Sequence, residues 1–284
     1  MKMKVMLTGG NGMLGRTLCR EWTAFDVIPT DLPEVDITEE SGLDCALKTI
    51  QPDVLVHCAA MTAVDQCESE ELQAYRVNAS GSANVAKCCQ RNQVRLIAIS
   101  TDYVFAGDLD RPYQEDDRAD GGRTVYGKSK WAGEEAIRTY CPDHVICRTA
   151  WLYGKGGPSF VHTMLSLAAK RFPELKVVAD QIGNPTSASA VAHALEQILL
   201  RRDLKGTFHV SCEGEASWAE FAAEIFRLTG KNQKIIPCTT KEFPRKAPRP
   251  ANSRLEKRRL RMEGLAPMPD WKEALAEFFR TEFP

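Results

Sequence analysis

The sequence predicts an α/β fold, a doubly wound parallel sheet followed by a smaller C-terminal α/β part. Three observations carry that prediction. A short apolar run, Met3-Lys4-Val5-Met6-Leu7-Thr8, leads into Gly9, Gly12 and Gly15, and a helical pattern (Leu14, Leu18, Trp22) follows. Unbroken apolar segments recur at Val54-Leu55-Val56-His57, Leu96-Ile97-Ala98-Ile99-Ser100 and Val145-Ile146-Cys147-Arg148, as in strands covered on both faces. Helix-length stretches separate them, so strand and helix alternate about five times before Lys155.

The first unit reads as strand, glycine turn and helix. Gly9, Gly12 and Gly15 form Gly-x-x-Gly-x-x-Gly, with Asn11, Met13 and Leu14 filling the turn and the helix start. Glycine belongs where a backbone turns tightly and where it must nearly touch a pyrophosphate, and the helix start then offers N–H groups and a positive dipole end. This is the arrangement of a Rossmann-type dinucleotide site, with NADP(H) or NAD(H) as the cofactor. A second strand, Asp26–Thr30, ends at Asp31. A carboxylate there can accept from a ribose 2′-hydroxyl and would repel a 2′-phosphate. Arg16 and Arg20 could offset it, and Asp31 fits equally well as a turn residue before Leu32-Pro33. Asp36 and Ile37 are placed to flank the adenine.

A helix is expected from Ser41 to Ile50, stopped by Pro52. After the third strand, Cys58-Ala59-Ala60-Met61-Thr62-Ala63-Val64-Asp65 is built of small residues, and Ala59, Ala60 and Thr62 would let a cofactor approach the backbone. His57 reads as a hydrogen-bonded core histidine within the sheet. A long helix is expected over Glu70 to Gln90, and Asn78 in its middle, a poor helix former, suggests a polar task such as a proton or water relay.

Thr101 closes the fourth strand, at the carboxyl end where groups that do chemistry gather in doubly wound folds. After a polar, glycine-rich loop over residues 106–123 comes Thr124-Val125-Tyr126-Gly127-Lys128-Ser129-Lys130. Four residues apart on a helix, Tyr126 and Lys130 share one face. A free phenol titrates near about 10, and a neighbouring ammonium draws it toward neutrality. The pair then forms a proton-transfer device, with Thr101 beside it to bond a substrate oxygen. The spacing alone is a weak signal, since an ordinary exposed helix would place a tyrosine and a lysine in register as readily.

Beyond Lys155 the pattern loosens. Helices are expected over Phe160–Arg171, Ala188–Leu200, Ser217–Thr229 and Trp271–Phe279, with strands at Val177–Asp180 and Thr207–Val210. The predicted division is residues 1–154, with part of 188–212, for the cofactor, and most of 155–284 for the substrate. Residues 241–261 are strongly basic, with Arg245, Lys246, Arg249, Arg254, Lys257, Arg258, Arg259 and Arg261 against two glutamates. They suit a grip on a diphosphate or a solvated surface run. RNA is disfavoured because no aromatic residues interleave them.

Composition narrows the classes further. At 284 residues, 43% hydrophobic and net charge −1, nothing recruits nucleic acid or an anionic membrane. No apolar run reaches the roughly 20 residues of a bilayer span, and the start lacks a signal-peptide pattern. Ten scattered cysteines without Cys-x-x-Cys are expected to be reduced thiols in a cytoplasmic protein. No metal ligands can be placed.

Gly9, Gly12, Gly15, Thr101, Tyr126 and Lys130 together resemble the extended short-chain dehydrogenase/reductase superfamily. Within it, residues 58–68, Ser100-Thr101-Asp102-Tyr103-Val104-Phe105, Arg148-Thr149-Ala150-Trp151-Leu152-Tyr153-Gly154, residues 180–186 and Arg249-Pro250-Ala251-Asn252-Ser253 are similar to the dTDP-4-dehydrorhamnose reductases. The likeness runs in order from residue 3 to the final helix. It implies hydride transfer to C4 of a dTDP-linked 4-keto-6-deoxy-L-hexose, giving dTDP-L-rhamnose for surface polysaccharide. Tyr126 would supply the proton, Lys130 would hold the nicotinamide ribose, and Thr101 would donate to the ketone oxygen. Thr62, Val64, Asp102, Tyr103 and Trp151 would line the sugar pocket, and Gln181, Asn184, Arg249 and Arg254 would lie near phosphate and base. A homodimer fits the family. One departure is the segment Asp120-Gly121-Gly122-Arg123-Thr124-Val125, where similar proteins carry a Pro and an Asn before the tyrosine.

Two other readings compete. An epimerase or dehydratase would recycle tightly held cofactor, although Asp102-Tyr103 after Thr101 lacks the Asp-Glu pair of a dehydratase. A non-catalytic NAD(P)-binding regulatory subunit would have no need of Thr101, Tyr126 and Lys130 together.

Overall fold

The computed structural model describes residues 2–170 and 172–283. The end expected for the Phe160 helix at Arg171 lies outside the described residues, as do Met1 and Pro284. Five strands, β1 (Lys4–Thr8), β2 (Asp26–Thr30), β3 (Val54–His57), β4 (Arg95–Thr101) and β5 (His144–Thr149), join the Gly206–His209 strand in one sheet. Every pairing is parallel, and the spatial order runs β2-β1-β3-β4-β5 and then Gly206–His209. The chain leaves β1 for β2 on one side and returns to β3 on the other, so a crevice opens between the carboxyl ends of β1 and β3.

Strand residues alternate between two cores. Val5, Leu7, Val54 and Val56 pack with Leu14 and Leu18 of the Met13–Glu21 helix and with Val191 and Leu195 of the Ala188–Leu200 helix. Met6, Leu55, Leu96 and Ile146 face the other way, onto Leu43, Leu47, Val85 and Ile137. This two-sided burial is why these strands read as unbroken apolar runs. β2 lies at the edge and accordingly tolerates Pro29.

The later residues build smaller sheets. Glu174–Val178 pairs in parallel with Lys234–Cys238, a strand the sequence pattern did not announce. Ile182–Gly183 lies between Ala216–Ser217 and Asn252–Ser253, and Leu152–Tyr153 pairs with Thr186–Ser187. The strand expected at Val177–Asp180 thus begins earlier and ends at Val178, leaving the Asp180 carboxylate to accept from Thr240.

The helix expected over Glu70–Gln90 is in three pieces. Glu71–Tyr75 and Ser82–Arg91 are α-helical, and a π-helical turn, Arg76–Gly81, joins them. All ten cysteines are free thiols. Among the described residues, no helix is long and apolar enough to cross a membrane.

Candidate active site

At the crevice between β1 and β3, Gly9 adopts φ +71°, and a Cβ there would stand 2.6 Å from Ala59 N. The two strand ends therefore touch through backbone alone. Gly12 precedes the Met13–Glu21 helix and offers no side-chain cap, which leaves the first N–H groups facing outward. Such a glycine cradle and uncapped helix start fit the pyrophosphate of a dinucleotide. Leu14 buries its side chain in the core, so only its backbone faces the cradle. Met13 packs on Gly154 and Gly157 from the loop after β5.

Asp31 uses one carboxylate oxygen to accept from Asn11 N at 2.9 Å and the other from Leu32 N at 2.8 Å. It thereby ties the end of β2 to the glycine loop, combining the turn role with a position beside the cofactor cradle. Asp36 accepts from Thr38 N, and Ile37 packs into the core against Gly81. His57 is the hydrogen-bonded core residue expected, with Thr8 and Ser82 hydroxyls at 2.8 and 3.1 Å. Burial lowers its pKa to about 3, with the Lys130 charge adding, so the ring is neutral.

The Val125–Tyr140 helix begins where the Thr124 hydroxyl accepts from Gly127 N at 2.9 Å. The unusual loop before it turns at Gly121 and Gly122, both at positive φ. A Cβ on Gly122 would meet Phe105 O and Tyr103 O at 2.5 Å. Asp120 N and Gly121 N donate to Val104 O. The loop is thus seated on the segment after β4, and its glycines are there because backbone meets backbone.

Tyr126 and Lys130 are both buried on this helix. The Tyr126 ring meets the Tyr103 ring edge-on with centroids 5.4 Å apart. Burial drives the phenol well above its ordinary pKa; the nearby Thr101 hydroxyl opposes this, and Asp102 and Cys67 reinforce it. The phenol therefore holds its proton at neutral pH. Lys130, one helical turn on, donates its Nζ to Ile99 O on β4 at 2.9 Å. Burial brings Lys130 itself down to about 8, while Glu134 and Cys58 support its charge.

Thr101 Oγ1 donates to Asp102 Oδ1 at 3.0 Å and accepts from Tyr103 N at 3.2 Å. Burial raises the Asp102 carboxyl to about 6, against the hydrogen bond from Thr101. Asn78 accepts from Met61 N at 2.8 Å and donates to Met61 O and Ser129 Oγ, both at 3.0 Å. Its amide locks the loop after β3 to the Tyr126 helix. Ala59 and Ala60 are half-buried beside that loop, Thr62 is exposed, and Val64 packs near Tyr126.

The remaining expected residues divide. Trp151, at φ +48°, stacks on Trp218 with centroids 3.4 Å apart and lies over Gly183. Gln181 bonds Thr240 and Trp218, and Asn184 bonds Gly214 O and Leu255 N, so both amides hold the wall together. The basic segment is mostly ion-paired, while Arg245 and Lys246 stand exposed. Arg249 pairs with Asp65, Arg254 with Glu215, Lys257 with Glu213, Arg258 with Asp116, Arg259 with Glu263 and Arg261 with Glu256. Sequence reasoning missed Glu134 and Arg148, a buried pair behind Lys130. The available signal was that Glu134 lies one helical turn past Lys130.

A parallel sheet with its crevice at a glycine cradle, and Thr101, Tyr126 and Lys130 at its carboxyl edge, define an extended short-chain dehydrogenase/reductase, a nicotinamide-dependent oxidoreductase. Residues 3–283 match the model described as RmlD substrate binding domain. The spore coat polysaccharide biosynthesis protein SpsK of Bacillus subtilis is 42% identical over 279 residues, covering 98% of this chain and 97% of that protein. A dTDP-4-dehydrorhamnose reductase from Clostridium acetobutylicum superposes with TM-score 0.95 at 41% identity, covering 99% of this chain and 100% of the other. The Bacillus anthracis dTDP-4-dehydrorhamnose reductase in complex with NADP gives the same TM-score of 0.95 and identity of 41%, covering 99% of each chain. The chain belongs to this RmlD family of dTDP-4-dehydrorhamnose reductases.

Proposed function

We propose that this protein reduces the C4 ketone of dTDP-4-dehydro-L-rhamnose to dTDP-L-rhamnose in the cytoplasm, with Tyr126 as proton donor. The observation that carries the reading is the buried Tyr126, kept protonated at neutral pH by its burial and packed edge-on against Tyr103, directly after Thr101 and the end of β4. An acid that gives up a proton must first hold one. The nicotinamide, reduced, supplies the hydride to C4. The ketone oxygen gains the electron pair, Tyr126 passes its proton to that oxygen, and solvent restores the phenol. Thr101 turns its hydroxyl from Asp102 to the same oxygen, and Lys130 binds the nicotinamide ribose.

In this reading residues 1–154, with part of 188–212, hold the cofactor, and most of 155–284 take the sugar nucleotide. Thr62, Val64, Asp102, Tyr103 and Trp151 form the sugar pocket, with Arg249 and Arg254 toward the diphosphate and Gln181 and Asn184 bracing the wall. The Asn184 and Gln181 amides support this as braces, since internal partners already occupy them. The test is NADPH oxidation with dTDP-4-dehydro-L-rhamnose as substrate. Turnover that requires this sugar nucleotide supports the reading. A purified protein that retains stoichiometric NAD and gives no net oxidation would overturn it in favour of an epimerase.

A further inference from the structure

Arg249 lines a cavity of about 180 Å³ together with Tyr103, Arg123 and Thr124, beside the start of the Tyr126 helix. Its guanidinium fork is already filled. Nη1 donates to Asp65 Oδ1 at 3.1 Å and to Ala247 O at 3.0 Å, and Nη2 donates to Asp65 Oδ2 at 2.8 Å. Asp65 stands in the first turn of the short helix Val64–Cys67, directly after the loop that carries Thr62. Its Oδ1 also accepts from Ala247 N at 3.0 Å. One carboxylate therefore pins the 247–249 segment to the loop after β3.

A carboxylate and a phosphate present the same paired-oxygen edge to a guanidinium. A diphosphate seeking the Arg249 fork must therefore displace Asp65. The pair is partly exposed, at 20% for Arg249 and 39% for Asp65. Water reaches the Asp65 side of the pair and screens it, which limits what the pair adds to stability.

We propose that Asp65 sets specificity as an internal anion, occupying the Arg249 fork until the diphosphate of the nucleotide substrate replaces it. The inference rests on Arg249 facing the diphosphate in the proposed function. Asp65 raises the threshold for every anion, and a diphosphate, with more charge and more oxygens than a monophosphate, clears it more easily. The residue thereby sharpens the choice between them.

The test is calorimetric binding of dTDP and dTMP to the NADPH-loaded protein and to its Asp65→Asn variant. Asparagine keeps the oxygen that Ala247 N needs but gives up the charge. The variant is expected to bind dTDP about two- to fivefold more tightly, to narrow the dTDP/dTMP ratio, and to leave NADPH binding and the melting temperature unchanged. Equal or weaker dTDP binding by the variant overturns the exchange, because Asp65 would then be orienting Arg249 or standing idle. Absence of dTDP binding to both proteins overturns it as well. NADPH oxidation by the unaltered protein separates the two ideas. Turnover without tightening in the variant defeats the exchange alone, whereas no turnover with the dTDP-keto-sugar defeats the proposed activity.

Discussion

Arg148 grips Glu134 through two nitrogens, Nε at 2.9 Å and Nη2 at 2.7 Å, one helical turn past Lys130. Both side chains are nearly free of solvent, at 3% and 2% exposure. The Phe105 ring lies under the guanidinium at 4.9 Å, and Arg138 gives Glu134 a further bond at 2.8 Å. Burial works against the Glu134 carboxylate, yet the Arg148 bonds and charge outweigh it and hold its pKa at about 2. The pair joins β5 to the Tyr126 helix and so fixes where Lys130 stands against β4.

Removing one member leaves the other charged and buried. Glu134→Gln is expected to lose about 3–5 kcal/mol of stability, read from urea unfolding midpoints at constant slope. The double variant Glu134→Leu with Arg148→Met should recover most of that loss, since apolar side chains of similar volume replace a buried pair well. A single variant as stable as the parent would mean that the carboxylate has little hold on the helix.

The lysine makes a pH prediction. Its folded pKa of about 8 lies below the 10.5 of an unperturbed lysine. Below about 8 both folded and unfolded chains hold the proton, and the full cost of burying the charge is present. Between 8 and 10.5 the unfolded chain keeps a proton that the native chain has lost, so this group makes stability rise with pH. Activity should move oppositely if the ammonium holds the ribose. The kcat/KM profile, which reports the free enzyme, should fall above about pH 8. A flat profile across that window would remove the charge from Lys130's task.

Much of this was legible because buried parallel strands leave no polar alternation. β3 is buried at every residue and reads as three apolar positions ending in a histidine. Tyr126, Lys130 and the glycine cradle were legible because each depends on local spacing. What stayed hidden depends on partners distant in the chain. Nothing near Arg249 points to Asp65, or near Arg254 to Glu215. Arg95 reads as a strand's polar edge, yet its guanidinium is buried and donates to carbonyls of Ile198, Leu199, Arg201 and Leu204. The Lys234–Cys238 strand carries Pro237, a strand breaker in most settings, and escapes notice until its pairing with Glu174–Val178 is seen. The π-turn at Arg76–Gly81 keeps helical periodicity nearly intact, and the sequence read it as part of one continuous helix.

The phenol makes the sharpest kinetic prediction. Tyr126→Phe retains the ring that packs on Tyr103 and removes only the hydroxyl. kcat should fall by a factor of about 100 to 10,000, the usual share of a positioned acid. NADPH binding, followed by fluorescence titration, should stay close to that of the parent. Equal loss of cofactor affinity would mean that the hydroxyl binds the cofactor rather than protonating a product.

Gly9 gives the last test, and it is one of pure backbone. At φ +71° a Cβ would stand 2.6 Å from Ala59 N and 2.8 Å from Ala59 Cα, with no flexible side chain to yield. Gly9→Ala must either strain its own dihedrals, at about 1–3 kcal/mol, or part the ends of β1 and β3. Either response distorts the cradle, so the NADPH dissociation constant should rise at least about tenfold, the equivalent of 1.4 kcal/mol. Gly42, in the Glu40–Ile50 helix, is the contrast, because a Cβ there meets nothing within 4 Å. Gly42→Ala should add up to about 1 kcal/mol of stability and leave NADPH binding untouched. If the two variants behaved alike, close approach at Gly9 would not be what shapes the crevice.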